Sequence, residues 1–178
     1  SAVSLRGRTM NKRVLPVLLA LMLCLALIPT AFADSSKSTV YDRENLFGDA
    51  DTDMLNARLA ELCNTYNVDV AIVTAPSLDG KTAQEYADDF YDENGIGQGN
   101  TKGGILLMIS AAERKWAIST AGYAIYAFTD SDLEYISDNF VSYLSDGDWY
   151  SACTSFISDC GPCLVAAEDN DQPYDPDG

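Results

Sequence analysis

The chain has 178 residues, with 27 acidic against 11 basic side chains, no histidine and a formal net charge of −16. Such a balance argues against nucleic acid or anionic lipid as a partner, because either would meet a surface of its own sign. Without histidine there is no Ser-His-Asp triad, no Cys-His dyad and no histidine ligand for zinc, so acid–base work falls to carboxylates, Lys, Tyr or Cys.

The first 33 residues hold Arg6, Arg8, Lys12 and Arg13 and no acidic residue. An apolar stretch from Val14 to Ile28 follows, and Pro29-Thr30-Ala31-Phe32-Ala33 ends in a small-x-small signal. This pattern predicts a secretory signal peptide over residues 1–33, cleaved between Ala33 and Asp34. The apolar run falls short of the ~20 residues that a membrane-spanning helix needs. A start at Met10 leaves Asn11-Lys12-Arg13 as the basic region, with residues 1–9 upstream of it. The expected location is therefore outside the cytoplasmic membrane, secreted or anchored facing outward. All the acidic residues fall after the cleavage point, a length suited to one domain and, by expectation, a monomer.

Residues 34–39 form a polar lead, and Val40-Tyr41-Asp42 reads as a short extended piece before a turn at Leu46-Phe47-Gly48. Carboxylates from Asp49 to Asp53 suit a helix start, and Leu55, Leu59, Leu62 and Tyr66 recur at helical spacing up to Asn67. Val68 to Thr74 reads as a strand ended by Pro76. Thr82 with Glu85 is a capping-box pattern that opens a second helix presenting Ala83, Tyr86, Ala87 and Phe90. A Gly-rich loop then leads into the apolar run Ile105–Ile109, a polar turn at Ala111–Arg114 and an alternating run Trp116–Ser119. Together these predict a β-hairpin.

Thr129 with Asp132 repeats the capping box, for a helix with Leu133, Ile136, Phe140 and Leu144 on one face. A break at Asp146-Gly147-Asp148 precedes a last helix from Trp149 to Cys160, which Gly161-Pro162 is expected to disrupt. Residues 168–178 read as an acidic, Pro-containing linker. The order of elements gives a right-handed crossover into a parallel pair and then an antiparallel partner. The fold class is α/β: a single three-layer α/β/α sandwich over residues 40–167, with a mixed, mostly parallel sheet, one antiparallel hairpin and helices on both faces.

Three local motifs weigh little. Cys160-Gly161-Pro162-Cys163 matches the thioredoxin dithiol letter for letter, yet follows a helix where the chemistry needs a helix N-terminus after a strand. Buried thiols or a structural disulfide among Cys63, Cys153, Cys160 and Cys163 account for it better. Asp49-Ala50-Asp51-Thr52-Asp53 begins like a calcium loop but has Met54 and Ala60 where an EF-hand needs Gly and Glu. Gly95-Ile96-Gly97-Gln98-Gly99 lacks dinucleotide spacing and precedes a strand. The stronger candidate is spatial. Asp42, Asn100, Asp130 and Asp132 would gather at the hairpin's open edge as oxygen ligands for Ca²⁺ or Mg²⁺, with helix capping as the competing use of the acids.

Several runs, taken in order, resemble the TPM domain family, which includes thylakoid-lumen photosystem II repair proteins. They are Val40-Tyr41-Asp42, Val70–Thr74, Pro76-Ser77-Leu78-Asp79-Gly80, Tyr86-Ala87, Gly95-Ile96-Gly97, Gly104-Ile105-Leu106-Leu107, and Ile118 through Gly122-Tyr123 to Asp130. The likeness is greatest to exported versions from Gram-positive gut bacteria. It implies an α/β/α sandwich, divalent cation binding in an acidic pocket, acid phosphatase activity, and often a membrane anchor after the domain. The chain departs from the family where Lys102-Gly103-Gly104 replaces Asp-Asn-Gly and Gly122-Tyr123-Ala124-Ile125-Tyr126 replaces Gly-x-Gly-x-Glu. Only Asp42 and Asp130 carry over as ligands. The expected function is an exported envelope module that binds a divalent cation or a protein partner, with little or no catalysis. The alternatives are a metal-assisted phosphatase acting on phosphomonoesters and a thiol–disulfide protein using Cys160 and Cys163.

Overall fold

The computed structural model describes residues 39–97 and 103–169. The chain divides into two units, residues 1–34 and 35–178, and every described residue lies in the second. The signal-peptide segment and Asn100 therefore lie outside the described residues, as does all of the acidic tail beyond Asp169. Among the described residues no helix is long and apolar enough to cross a membrane.

Four strands, β1 (Thr39–Asp42), β2 (Asp69–Thr74), β3 (Gly104–Ser110) and β4 (Lys115–Ala121), form one sheet in the order β1-β2-β3-β4. The first three are parallel and β4 is antiparallel to β3, as the hairpin reading requires. Helix α1 (Asp49–Tyr66) links β1 to β2 and ends at Asn67, whose φ of 52° is the left-handed conformation that asparagine tolerates. Helix α2 (Ala83–Glu93) links β2 to β3 behind the capping box of Thr82 and Glu85. After β4 come the short α3 (Ala124–Ala127), then α4 (Asp130–Asp146) behind the capping box of Thr129 and Asp132, then α5 (Trp149–Asp169).

Every residue of β2 and β3 is buried, which is why both read as near-continuous apolar runs. Alternation sends Val70, Ile72, Ile105, Leu107 and Ile109 to one face, where they pack with Leu55 and Leu59 of α1, Ile136 and Phe140 of α4, and Phe156 of α5. Ala71, Val73, Leu106 and Met108 point the other way, against Ala87, Phe90 and Tyr91 of α2. The result is three layers, with a single long helix on one face.

The break expected at Gly161-Pro162 does not occur, because α5 runs through it to Asp169. Proline removes the N–H that would serve the Ser158 carbonyl, but Ser158 and Pro162 are both exposed, so water reaches that carbonyl. Cys163 and Leu164, beyond the proline, stay buried on the same stripe as Phe156 and Cys160, and their packing outweighs the lost bond. Arg114 closes the hairpin turn with a φ of 56°, a left-handed conformation more often given to glycine.

Restoring the missing donor with Pro162→Ala should raise stability by about 1–3 kcal/mol, read from the urea unfolding midpoint; an unchanged midpoint would mean that the helix carries the proline without cost. In Arg114→Gly, relief of the left-handed strain and the added freedom of the unfolded chain oppose each other. Stability should stay within about 1 kcal/mol of wild type, and a larger fall would show that the Arg114 side chain stabilises the turn.

Candidate functional site

Asp69 opens β2 and pairs in register with Gly104 at the start of β3, and Gly104 in turn faces Ala121 at the end of β4. One end of the sheet therefore carries Asp69, the exit of the Gly-rich loop and the exit of the hairpin. Asp69 is 1% exposed. Its backbone N–H donates to the Gly103 carbonyl (3.1 Å), and its Oδ2 accepts from the Gly97 N–H (2.7 Å). Its Oδ1 is buried and accepts no hydrogen bond from a described residue. A buried carboxylate oxygen without a donor costs free energy and calls for an explanation.

Tyr91, from α2, closes the site. A Cβ added at Gly104 would lie 2.6 Å from the Tyr91 hydroxyl and 3.0 Å from the Asp69 carbonyl oxygen, so close approach is what requires glycine there. Burial raises the Tyr91 hydroxyl well above its ordinary range, and the negative charges of Asp69 and Asp92 raise it further. The phenol thus stays protonated and neutral at working pH. Sequence reasoning passed over Asp69 as an ordinary strand residue. The available signal was a charge set inside the otherwise apolar run Val68-Asp69-Val70-Ala71-Ile72-Val73, in a strand that had to be buried on both faces.

The residues expected to bind a cation stand elsewhere. Asp42 ends β1 opposite Thr74, at the far end of the sheet from Asp69. Its carboxylate already accepts from the N–H of Leu46 (3.0 Å), the N–H of Phe47 (2.9 Å) and the Thr74 hydroxyl (2.6 Å). Asp132 is taken up by its capping box, accepting from the Thr129 N–H (2.9 Å) and hydroxyl (2.6 Å). Asp130 is exposed in the same first turn.

The charge of Asp42 is felt at Cys153 and that of Asp132 at Cys163. Ten helical residues separate those thiols, about 15 Å along α5. Asp130 and Asp132 share the first turn of α4, whereas Asp42 ends β1 beside Thr74. Among the described residues no group of three or more His, Cys, Asp or Glu side chains is arranged to hold a metal. Of the acids considered, Asp69 alone combines burial with an orphaned oxygen, so it fits a cation better than Asp42 or Asp132 does.

Cys63, Cys153, Cys160 and Cys163 are all free thiols and all buried. The dithiol lies in the interior of α5 with no helix N-terminus to lower a thiol pKa. Burial, the largest cause, pushes Cys153 up to about 12 and Cys163 up to about 11, and lifts Cys160 well above its ordinary value. Nearby acids add to each shift, and the neighbouring thiols Cys163 and Cys63 add to that of Cys160.

Comparison with known proteins agrees with this architecture. The model of the TPM domain matches residues 40–162. The UPF0603 protein YdjH of Bacillus subtilis (strain 168) is 29% identical over 143 residues, covering 79% of this chain and 54% of YdjH. The chain therefore spans about half the length of that relative.

Three NMR structures share the fold. The N-terminal domain of a P. gingivalis protein has a TM-score of 0.64 at 23% identity, covering 77% of this chain and 87% of that one. The BA42 protein of Bizionia argentinensis has a TM-score of 0.63 at 10% identity, covering 76% and 90%. The N-terminal domain of the cg2496 protein of Corynebacterium glutamicum has a TM-score of 0.58 at 18% identity, covering 71% and 79%.

At pH 8 a thiol with a pKa of about 11 is ionised only to about one part in a thousand. Native protein at that pH should resist iodoacetamide at all four positions and take up label only after unfolding, as mass spectrometry would read; fast labelling of Cys160 or Cys163 in the native state would restore a redox role.

Proposed function

The chain belongs to the TPM domain family, and on that footing we propose that its domain is an exported, divalent-cation-binding module of the cell envelope with little or no catalysis. The observation that carries this reading is the buried Asp69 carboxylate, one oxygen held by the Gly97 N–H and the other without a donor among the described residues. Hard cations such as Ca²⁺ and Mg²⁺ take carboxylate and carbonyl oxygens, and an orphaned buried carboxylate oxygen is one ligand of that kind. The acidic surface favours cations by raising their local concentration. Little catalysis follows from the same site: its titratable neighbour Tyr91 is held protonated, and no histidine exists to move protons near neutral pH. Export rests on the basic and apolar pattern of residues 1–33, which leaves an envelope protein as a further partner and a membrane anchor beyond residue 178 as a further expectation.

Titration calorimetry with CaCl₂ and MgCl₂ on wild type, Asp69→Asn and Asp130→Ala tests the site. Asp69→Asn preserves shape and the acceptor for Gly97 while removing the charge. Saturable heat should appear with wild type, weaken at least about tenfold in Asp69→Asn and persist in Asp130→Ala. No saturable heat with either ion would overturn cation binding; loss in Asp130→Ala with retention in Asp69→Asn would move the site to the start of α4.

A further inference from the structure

A cavity of about 590 Å³ opens at the other end of the sheet from Asp69, between the β3–β4 turn and the joint linking α4 to α5. Open sheets with parallel strands bind ligands in the crevice beyond the carboxyl ends of those strands, and β3 ends here at Ser110. The volume lies in the range of small-molecule sites. Both tryptophans of the chain, Trp116 and Trp149, line the wall. Trp116 is 36% exposed, yet its ring is fixed edge-to-face on Phe140, centroids 5.0 Å apart and planes at 84°. A flat aromatic surface is thus held in place and left accessible.

The charges on the cavity are the second observation. Lys115 lines it but faces Glu113 at 3.6 Å. Arg114 and Asp146 line it too, and neither side chain makes a hydrogen bond or ion pair with a described residue. Both stand where the fold disfavours them. Arg114 has left-handed backbone, and Asp146 puts a negative charge at the negative end of the α4 dipole. One free cation and one free anion, on a cavity walled by two indoles, match a ligand bearing both charges and a flat apolar ring.

We propose that this cavity binds a free aromatic α-amino acid, its carboxylate at Arg114, its ammonium at Asp146 and its ring against Trp116 and Trp149. The guanidinium fork suits a carboxylate, and the indole faces suit a second ring. This proposal is independent of cation binding at Asp69, since the two places lie at opposite ends of the sheet.

The test is an NMR titration of the full chain with L-phenylalanine, reading the indole N–H resonances of Trp116 and Trp149. The controls are 3-phenylpropionate and 2-phenylethylamine, each lacking one charge. Saturable shifts are expected with phenylalanine at millimolar concentrations or below. Affinity should fall about tenfold or more with either control, and likewise in Arg114→Gly and in Asp146→Asn. Both variants remove a group from an unfavourable backbone or dipole position, so they should fold, which the dispersion of the remaining spectrum verifies. Absence of saturable shifts would overturn the proposal, and so would equal binding of 3-phenylpropionate or unchanged affinity in Arg114→Gly.

Discussion

The pairing of β2 with β3 is the constraint on which everything else depends. Both strands are parallel and buried on both faces, so neither can carry a polar group along its length without a dedicated partner. Two apolar layers must then be supplied from elsewhere in the chain. Helix α2 covers one face, and α1, α4 and α5 cover the other. Polar chemistry is driven to the two ends of the strands. At one end stands Asp69 beneath the Gly97 N–H; at the other stand Thr74, Asp42 and the hairpin turn.

Much of this was legible because it rests on local rules. Period-two alternation gave away β4, continuous apolar runs gave away β2 and β3, and the capping boxes of Thr82 and Thr129 marked two helix starts that the structure reproduces, side chain by side chain. The misreadings arose where tertiary packing decides. Gly161-Pro162 is a strong local stop signal, but Cys163 and Leu164 have a core to enter, and an exposed carbonyl in α5 is a small loss against that burial. Asp42 is parted from the hairpin's open edge for a topological reason. Strand direction decides it: β1 runs parallel to β2 and β3, so its last residue must lie at their carboxyl ends, with the hairpin turn and away from the hairpin's mouth.

The same geometry changes the meaning of the acidic composition. Carboxylates at the carboxyl end of the sheet serve mainly as acceptors for backbone N–H groups that no strand or helix satisfies. Asp42 takes those of Leu46 and Phe47. Glu44 takes those of Ala111 (3.0 Å) and Ala112 (3.1 Å), bridging from the end of β1 to the hairpin turn across 67 and 68 residues of sequence. Glu113, from that turn, takes the N–H of Leu78 (2.7 Å) in the loop after β2. Three acids thus tie three loops together, each through a charge-assisted bond stronger than its neutral counterpart. Counting acids in a sequence cannot separate these fasteners from ligands, because the difference lies in whether an N–H points at the oxygen. Where it does, as at Asp42, the carboxylate is spent on the fold. Where it does for only one of two oxygens, as at Asp69, capacity is left over, and the proposed cation site rests on that surplus.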